Sequence, residues 1–215
     1  MKINILGGGP LDLLPPLTNY QSDEDLWIGV DRGVFTLLSR GIKPIHAFGD
    51  FDSVTADELL IIEENIEDLQ KFKPEKDETD MELALVWALQ QSPEKIRIFG
   101  ATGGRLDHFF ANIQLLMKPL LNDYFVPIEI IDRKNIIFLR NSGNYSVKKM
   151  ASMQYISFIP MTTDIPDLTL EGFKYPLNNR YIPLGSTLCI SNELIHDNGH
   201  FSFSAGILLI VRSND

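Results

Sequence analysis

The chain is poor in cysteine, tryptophan and positive charge, and it has no long apolar run. Its single cysteine, Cys189, excludes a disulfide within the chain and makes a reducing compartment, the cytoplasm, the expectation. Cys189 stands in the apolar stretch 187–190, where it reads as a small buried hydrophobe rather than a nucleophile. No apolar run approaches the roughly 20 residues that a bilayer-spanning helix needs, so no membrane association is expected. Met1-Lys2-Ile3-Asn4 reads as the start of a strand and not as a signal peptide. Lysine and arginine total 19 against 29 acids, a formal net charge of −10. That balance excludes a general nucleic-acid binder, which needs a basic face to neutralise phosphates. An anionic ligand must instead be met by local cations, backbone amides or a metal.

What is present divides in two. Short β-rich runs at 2–6, 26–30, 45–48, 96–99 and 128–131 alternate with helical patterns at 34–40, 56–67, 79–91 and 106–121. Alternation of this kind predicts a Rossmann-like, largely parallel sheet with flanking helices. Apolar positions such as Met81, Leu85 and Leu89 are expected to face the core, as are Trp27 and Trp87. After Asp132 no long helical period survives. Short β-type runs at 136–140, 145–147, 154–159, 168–170, 187–190, 200–203 and 207–211 are separated by turn formers, including Asn141-Ser142-Gly143-Asn144, Asn178-Asn179 and Asp197-Asn198-Gly199. This half predicts an all-β sandwich or barrel. The expected domains are 1–133 and 134–215.

The chemistry-bearing residues gather where strands are expected to end. Gly7-Gly8-Gly9-Pro10 follows the first strand, as either a tight turn or a ligand loop. Asp31 ends the second, where it either caps the next helix or faces a ligand. In Gly49-Asp50-Phe51-Asp52-Ser53, an extended backbone would aim Asp50 and Asp52 at one point and turn Phe51 inward. Two such carboxylates repel unless a cation or proton intervenes. The competing reading has Asp52 or Ser53 cap the following helix. In Lys76-Asp77-Glu78-Thr79-Asp80, Asp77 and Asp80 share one face of a first helical turn. Asp77 as N-cap and Asp80 in the capping-box position is the bland alternative. Gly100-Ala101-Thr102-Gly103-Gly104-Arg105-Leu106-Asp107-His108 joins a strand to a helix with exposed amides and one guanidinium, an anion site in kind. It lacks the lysine of a P-loop. Asp107 either acts on a ligand or orients Arg105, and His108 either acts or packs.

The ordered set G-D-F-D-S, K-D-E-T-D-x-E-x-A-L and G-x-x-G-G-R-L-D-H resembles the thiamine pyrophosphokinase family. Glu171-Gly172-Phe173-Lys174-Tyr175-Pro176-Leu177 and Ser191-Asn192-Glu193 resemble that family's thiamine-binding β domain, so the likeness runs over nearly the whole chain. The resemblance implies Mg²⁺-dependent transfer of pyrophosphate from ATP to the hydroxyl of thiamine, giving thiamine diphosphate and AMP. It makes 1–133 the nucleotide- and metal-binding catalytic domain and 134–215 the thiamine-binding domain. It implies a homodimer with active sites between subunits. By motif position, Asp50, Asp52 and Asp80 would handle metal and catalysis. Asp31, Asp77, Thr79, Arg105, Asp107 and His108 would line the ATP site, and Ser191 and Asn192 would hold thiamine. Some relatives stack a C-terminal tryptophan on thiamine. Both tryptophans here are N-terminal, which leaves Phe173, Tyr175 and Phe203 as stacking candidates.

Two other readings account for part of the pattern. A metal-dependent phosphohydrolase would use the aspartates but leaves the glycine–arginine loop and the β domain unexplained. A non-catalytic nucleotide or vitamin sensor would need no complete acidic set.

Overall fold

The computed structural model describes residues 1–66, 69–71, 77–122 and 126–215, with the backbone alone for 69–71. Two residues of the expected pattern, Glu67 at the end of a helix and Lys76 at the head of a motif, lie outside these. The fold is mixed α/β followed by all-β, in two compact units, Met1–Arg133 and Lys134–Asp215.

The first unit contains strands β1 (Lys2–Leu6), β2 (Asp25–Val30), β3 (His46–Gly49), β4 (Leu69–Lys71), β5 (Lys95–Phe99) and β6 (Ile128–Ile131). They lie in the order β6-β5-β1-β2-β3-β4, and each neighbouring pair is parallel. Ile3, Ile5, Ile28, Ile96 and Ile98 are fully buried, as strands covered on both faces require. Helices α1 (Arg32–Ser39), α2 (Ala56–Asn65), α3 (Asp80–Gln90), α4 (Leu106–Leu115) and α5 (Met117–Leu121) accompany the sheet. Met81, Ala84, Leu85, Ala88 and Leu89 form the buried face of α3. Trp27 is buried and stacks on Phe99, while half-buried Trp87 meets His46 edge-on. The single helix expected over 106–121 is two helices that meet at Leu116. Pro119 explains the break, because its ring clashes with the carbonyl four residues earlier, that of Leu115, and it has no amide to continue the ladder.

The second unit contains β7 (Asn135–Lys148), β8 (Tyr155–Pro160), β9 (Asp164–Glu171), β10 (Leu177–Pro183), β11 (Asn192–Glu193) and β12 (Asn198–Ser213). All its pairings are antiparallel. Here local turn chemistry misleads. Asn141-Ser142-Gly143-Asn144 does not end a strand, and β7 runs through it. The register with β12 shifts between Phe203 and Ile207, opposite this segment, so the polar residues mark a bulge rather than a turn. The bulge lets β12 pair with β9 before it and with β8 after it. Asn178 and Asn179 likewise sit inside β10, and the expected strand at 187–190 is loop. Phe158, Phe173, Phe201, Phe203, Leu208 and Cys189 share the core of this unit. Burial raises the pKa of the Cys189 thiol, as a buried hydrophobe's sulfur should behave.

Candidate active site

Parallel strands deliver their following loops to one edge of a sheet. The glycine loop after β1, Asp31 after β2, Asp50–Ser53 after β3 and the glycine–arginine loop after β5 therefore share the carboxyl edge of the first unit. Asp77 and Thr79 lie between β4 and α3, and Asp80 begins α3. Strand order reverses at β1, with β2 on one side and β5 on the other, and this is where open α/β sheets bind ligands.

The loops are tied to one another by backbone contacts. Gly7 donates its amide to Phe99 O at 2.8 Å and Gly9 to Gly100 O at 2.9 Å. A Cβ on Gly9 would lie 2.5 Å from the Gly100 oxygen, so this glycine is required by close approach of two backbones. Asp31 adopts a φ of 51° and its side chain does not cap α1, which removes the capping explanation.

Asp50-Phe51-Asp52 is not extended. Phe51 has a φ of 60°, so strand alternation does not bring the two acids together. The segment is instead a turn, in which the Asp52 backbone amide donates to Asp50 Oδ1 at 3.1 Å. Phe51 is turned inward, packed with Val34, Ala47, Ile62 and Ile66. Neither Asp52 nor Ser53 caps α2. Thr55 does, accepting from the Glu58 amide while Glu58 accepts from the Thr55 amide. Similarly, Thr79 rather than Asp77 caps α3, accepting from the Glu82 amide at 3.2 Å. Asp80 becomes the first helical residue, half-buried, and Asp77 is exposed.

In the third motif, Arg105 grips Asp107 through both arms of a fork, Nε to Oδ1 at 3.1 Å and Nη2 to Oδ2 at 2.6 Å. The His108 amide adds a 3.0 Å bond to Oδ1. Arg105 chiefly, then this amide, holds the Asp107 carboxyl down to about 2. Asp107 does orient Arg105 here, and both side chains are exposed.

Among the described residues, no three His, Cys, Asp or Glu side chains converge as a ready-made metal site. The carboxylates of Asp50, Asp52 and Asp80 are nonetheless the hard oxygen donors that Mg²⁺ takes. That ion is ordinarily held by one or two carboxylates, with water and substrate phosphates completing its shell. The residues fit in kind.

In the second unit, Asn192 is buried at 2% exposure. Its Nδ2 donates to Tyr175 O at 2.8 Å, and its Oδ1 accepts from the amides of Tyr175 at 3.1 Å and Glu193 at 2.9 Å. The side chain thus braces the backbone of Tyr175. Ser191 is exposed with a φ of 56°, and its amide donates to Ser157 Oγ at 2.9 Å. Of the three stacking candidates, Phe173 and Phe203 are core residues, whereas Tyr175 is 59% exposed. Lys174 lies over the Tyr175 ring and pairs with Glu193 at 2.7 Å. Sequence reasoning passed over Glu58 and its partner Arg32. The spacing Thr55-x-x-Glu58 was the available signal, since it is a capping box.

Acids and a glycine–arginine loop on the carboxyl edge of an α/β sheet, followed by a β unit, are an arrangement suited in kind to phosphorylated ligands. Residues 17–128 match the family described as thiamin pyrophosphokinase, catalytic domain, and residues 144–208 match thiamin pyrophosphokinase, vitamin B1 binding domain. The chain belongs to the thiamin pyrophosphokinase family. It is 54% identical over 213 residues, 99% of each chain, to the thiamine pyrophosphokinase of Bacillus subtilis (strain 168). A crystal structure of thiamine pyrophosphokinase from Bacillus subtilis matches with a TM-score of 0.95, covering 100% of both chains at 54% identity. One of thiamin pyrophosphokinase from Geobacillus thermodenitrificans matches at 50% identity with a TM-score of 0.92, covering 100% of this chain and 98% of that one.

Proposed function

We propose that this enzyme moves the pyrophosphoryl group of ATP to the hydroxyl of thiamine, releasing AMP and thiamine diphosphate. The observation that carries this reading is the match of both family models, in order, along a chain 54% identical end to end to a thiamine pyrophosphokinase. Residues 1–133, a Rossmann-like parallel unit, would bind nucleotide and metal. Residues 134–215, a β-sandwich, would bind thiamine.

In this reaction the thiamine hydroxyl oxygen attacks the β-phosphorus of ATP, the bond from that phosphorus to the bridging oxygen of AMP breaks, and the hydroxyl proton leaves. Little covalent work falls to the protein, so rate comes from positioning and from charge placed where the phosphates lie. Asp50, Asp52 and Asp80 would hold Mg²⁺, which supplies charge neutralisation of the phosphate oxygens. Arg105 and the amides of its loop receive the polyphosphate, with Asp107 holding the guanidinium until it arrives. Asp31, Asp77, Thr79 and His108 complete the nucleotide side. One of the clustered aspartates takes the hydroxyl proton. Tyr175, its backbone braced by Asn192, presents its ring to thiamine, and Ser191 immediately precedes Asn192 in the chain.

A homodimer with shared active sites, working in the cytoplasm, completes the reading. Among the described residues, no helix is long and apolar enough to cross a membrane. The deciding assay incubates purified protein with ATP, Mg²⁺ and thiamine and follows products by mass spectrometry. Thiamine diphosphate and AMP should form in equal amounts and stop with chelator. ATP breakdown that ignores thiamine would instead mark a hydrolase.

A further inference from the structure

We propose that Arg32, held in place by Glu58, is a second cationic contact for the polyphosphate of the nucleotide. This rests on the ATP reading given above. The first consideration is charge. The chain carries −10 overall, and the edge described above is crowded with carboxylates. Among the described residues of the segments that follow β1, β2, β3 and β5, up to the first turn of the next helix, the cations are Arg32 and Arg105. The Arg105 fork already faces Asp107 through Nε and Nη2. A polyphosphate with several negative oxygens is poorly served by one guanidinium that also has an anion beside it.

Arg32 differs in how it is held. Its side chain is 55% exposed, whereas that of Glu58 is 12% exposed. Nη2 donates to Glu58 Oε1 at 2.9 Å. The other carboxylate oxygen, Oε2, accepts from the Thr55 amide at 2.9 Å, and the Glu58 amide donates to Thr55 Oγ1. Glu58 is therefore anchored by the cap of its own helix and cannot follow Arg32 outward. The pair bridges the first turns of α1 and α2, the two helices entered through Asp31 and through the Asp50–Ser53 turn. Its root is also beside the glycine loop, since a Cβ on Gly8 would lie 3.6 Å from the Arg32 Cβ. Among the described residues, Nη2 is the guanidinium nitrogen of Arg32 with a hydrogen-bond partner, which leaves Nε and Nη1, with three N–H groups between them, for phosphate oxygens. A half-exposed ion pair of this kind adds little to stability. Its geometric effect is larger, because it fixes one end of a long, flexible side chain and so lowers the entropy lost when a phosphate arrives.

The test uses the full-length protein and ATP, with and without Mg²⁺ and without thiamine, in calorimetric titrations. These are paired with Michaelis constants for both substrates and with melting curves. Arg32→Ala should weaken ATP binding about tenfold and raise the ATP Michaelis constant alike, while that for thiamine stays put. Arg32→Lys keeps charge but loses the fork and should fall between. Glu58→Gln keeps the shape of the brace and should weaken ATP binding about threefold through looser placement of Arg32. Wild-type ATP affinity in Arg32→Ala overturns the proposal. So does an equal loss of affinity for both substrates together with a lowered melting temperature, which marks a purely structural bridge. A wild-type protein that neither binds ATP nor makes thiamine diphosphate refutes the underlying reading instead.

Discussion

Gly49 leaves the room that the Asp31 side chain takes: a Cβ on Gly49 would stand 2.4 Å from Asp31 Oδ1. The Asp31 amide also donates to Phe48 O at 2.8 Å. The end of β2 is thereby joined to the end of β3, and one acidic position is set against the turn that carries two more. Asp31 pays for this with a φ of 51°, a backbone state that a non-glycine residue keeps only when its surroundings insist. Gly49, at φ 150°, has the conformation that only glycine adopts without strain.

Gly49→Ala therefore combines a steric clash with a strained backbone. We expect a loss of roughly 1–3 kcal/mol in stability from the backbone term alone, read by urea unfolding. Turnover should fall further than stability explains, because relief of the clash moves Asp31 or the Asp50 turn. A variant as stable and active as the parent would show that the two residues do not need this spacing.

Asp50→Asn and Asp80→Asn each keep size and remove charge. Turnover should drop by two or more orders of magnitude, on the scale of losing a group that stabilises transition-state charge, with melting curves nearly unchanged. AMP release in the presence of thiamine is the measurement. Near-normal rates in either purified variant would remove that aspartate from the metal role.

Tyr175 and Phe173 are two residues apart and should respond oppositely. Tyr175→Ala removes an exposed ring, so the thiamine Michaelis constant should rise several-fold with little change in unfolding free energy. Phe173→Ala opens a cavity in the core and should cost about 3–5 kcal/mol. Equal thiamine kinetics in Tyr175→Ala and the parent would exclude the ring as the stacking partner.

Arg105→Ala frees the Asp107 carboxylate. Its pKa should climb from about 2 toward the ordinary value of 3.8, measurable by NMR titration of the side-chain carbonyl. Because the folded value is depressed, the pair favours the folded loop above about pH 4, and that contribution fades as pH falls toward 2. The loop is exposed, so the effect on global stability is small, whereas ATP binding should suffer at every pH. An unchanged Asp107 titration would mean that the fork is not formed in solution.

Much was legible before any coordinates. The alternation of short apolar runs and helical periods marked the α/β half, and the loss of helical period after Asp132 marked the β half. The order of the acidic and glycine motifs was enough to indicate the family, since each is a local string that can be read without knowing the fold. Less legible were features decided by pairing between distant segments. Asn141 to Asn144 carry the composition of a turn, yet they run on within β7, opposite a bulge whose extra residues belong to the partner strand β12.

By itself the sequence determined which chemical groups are available and in what order the elements carry them, because propensity and periodicity act over a few residues. Only the tertiary structure decided which of those groups are exposed and which are buried. It turned Asn192 inward to brace Tyr175, and left that ring exposed while Phe173 and Phe203 were buried. It also joined Arg32 to Glu58 across 26 residues. Those outcomes depend on strand register and on the packing of helices against a sheet, and neither is written in any single stretch of the chain.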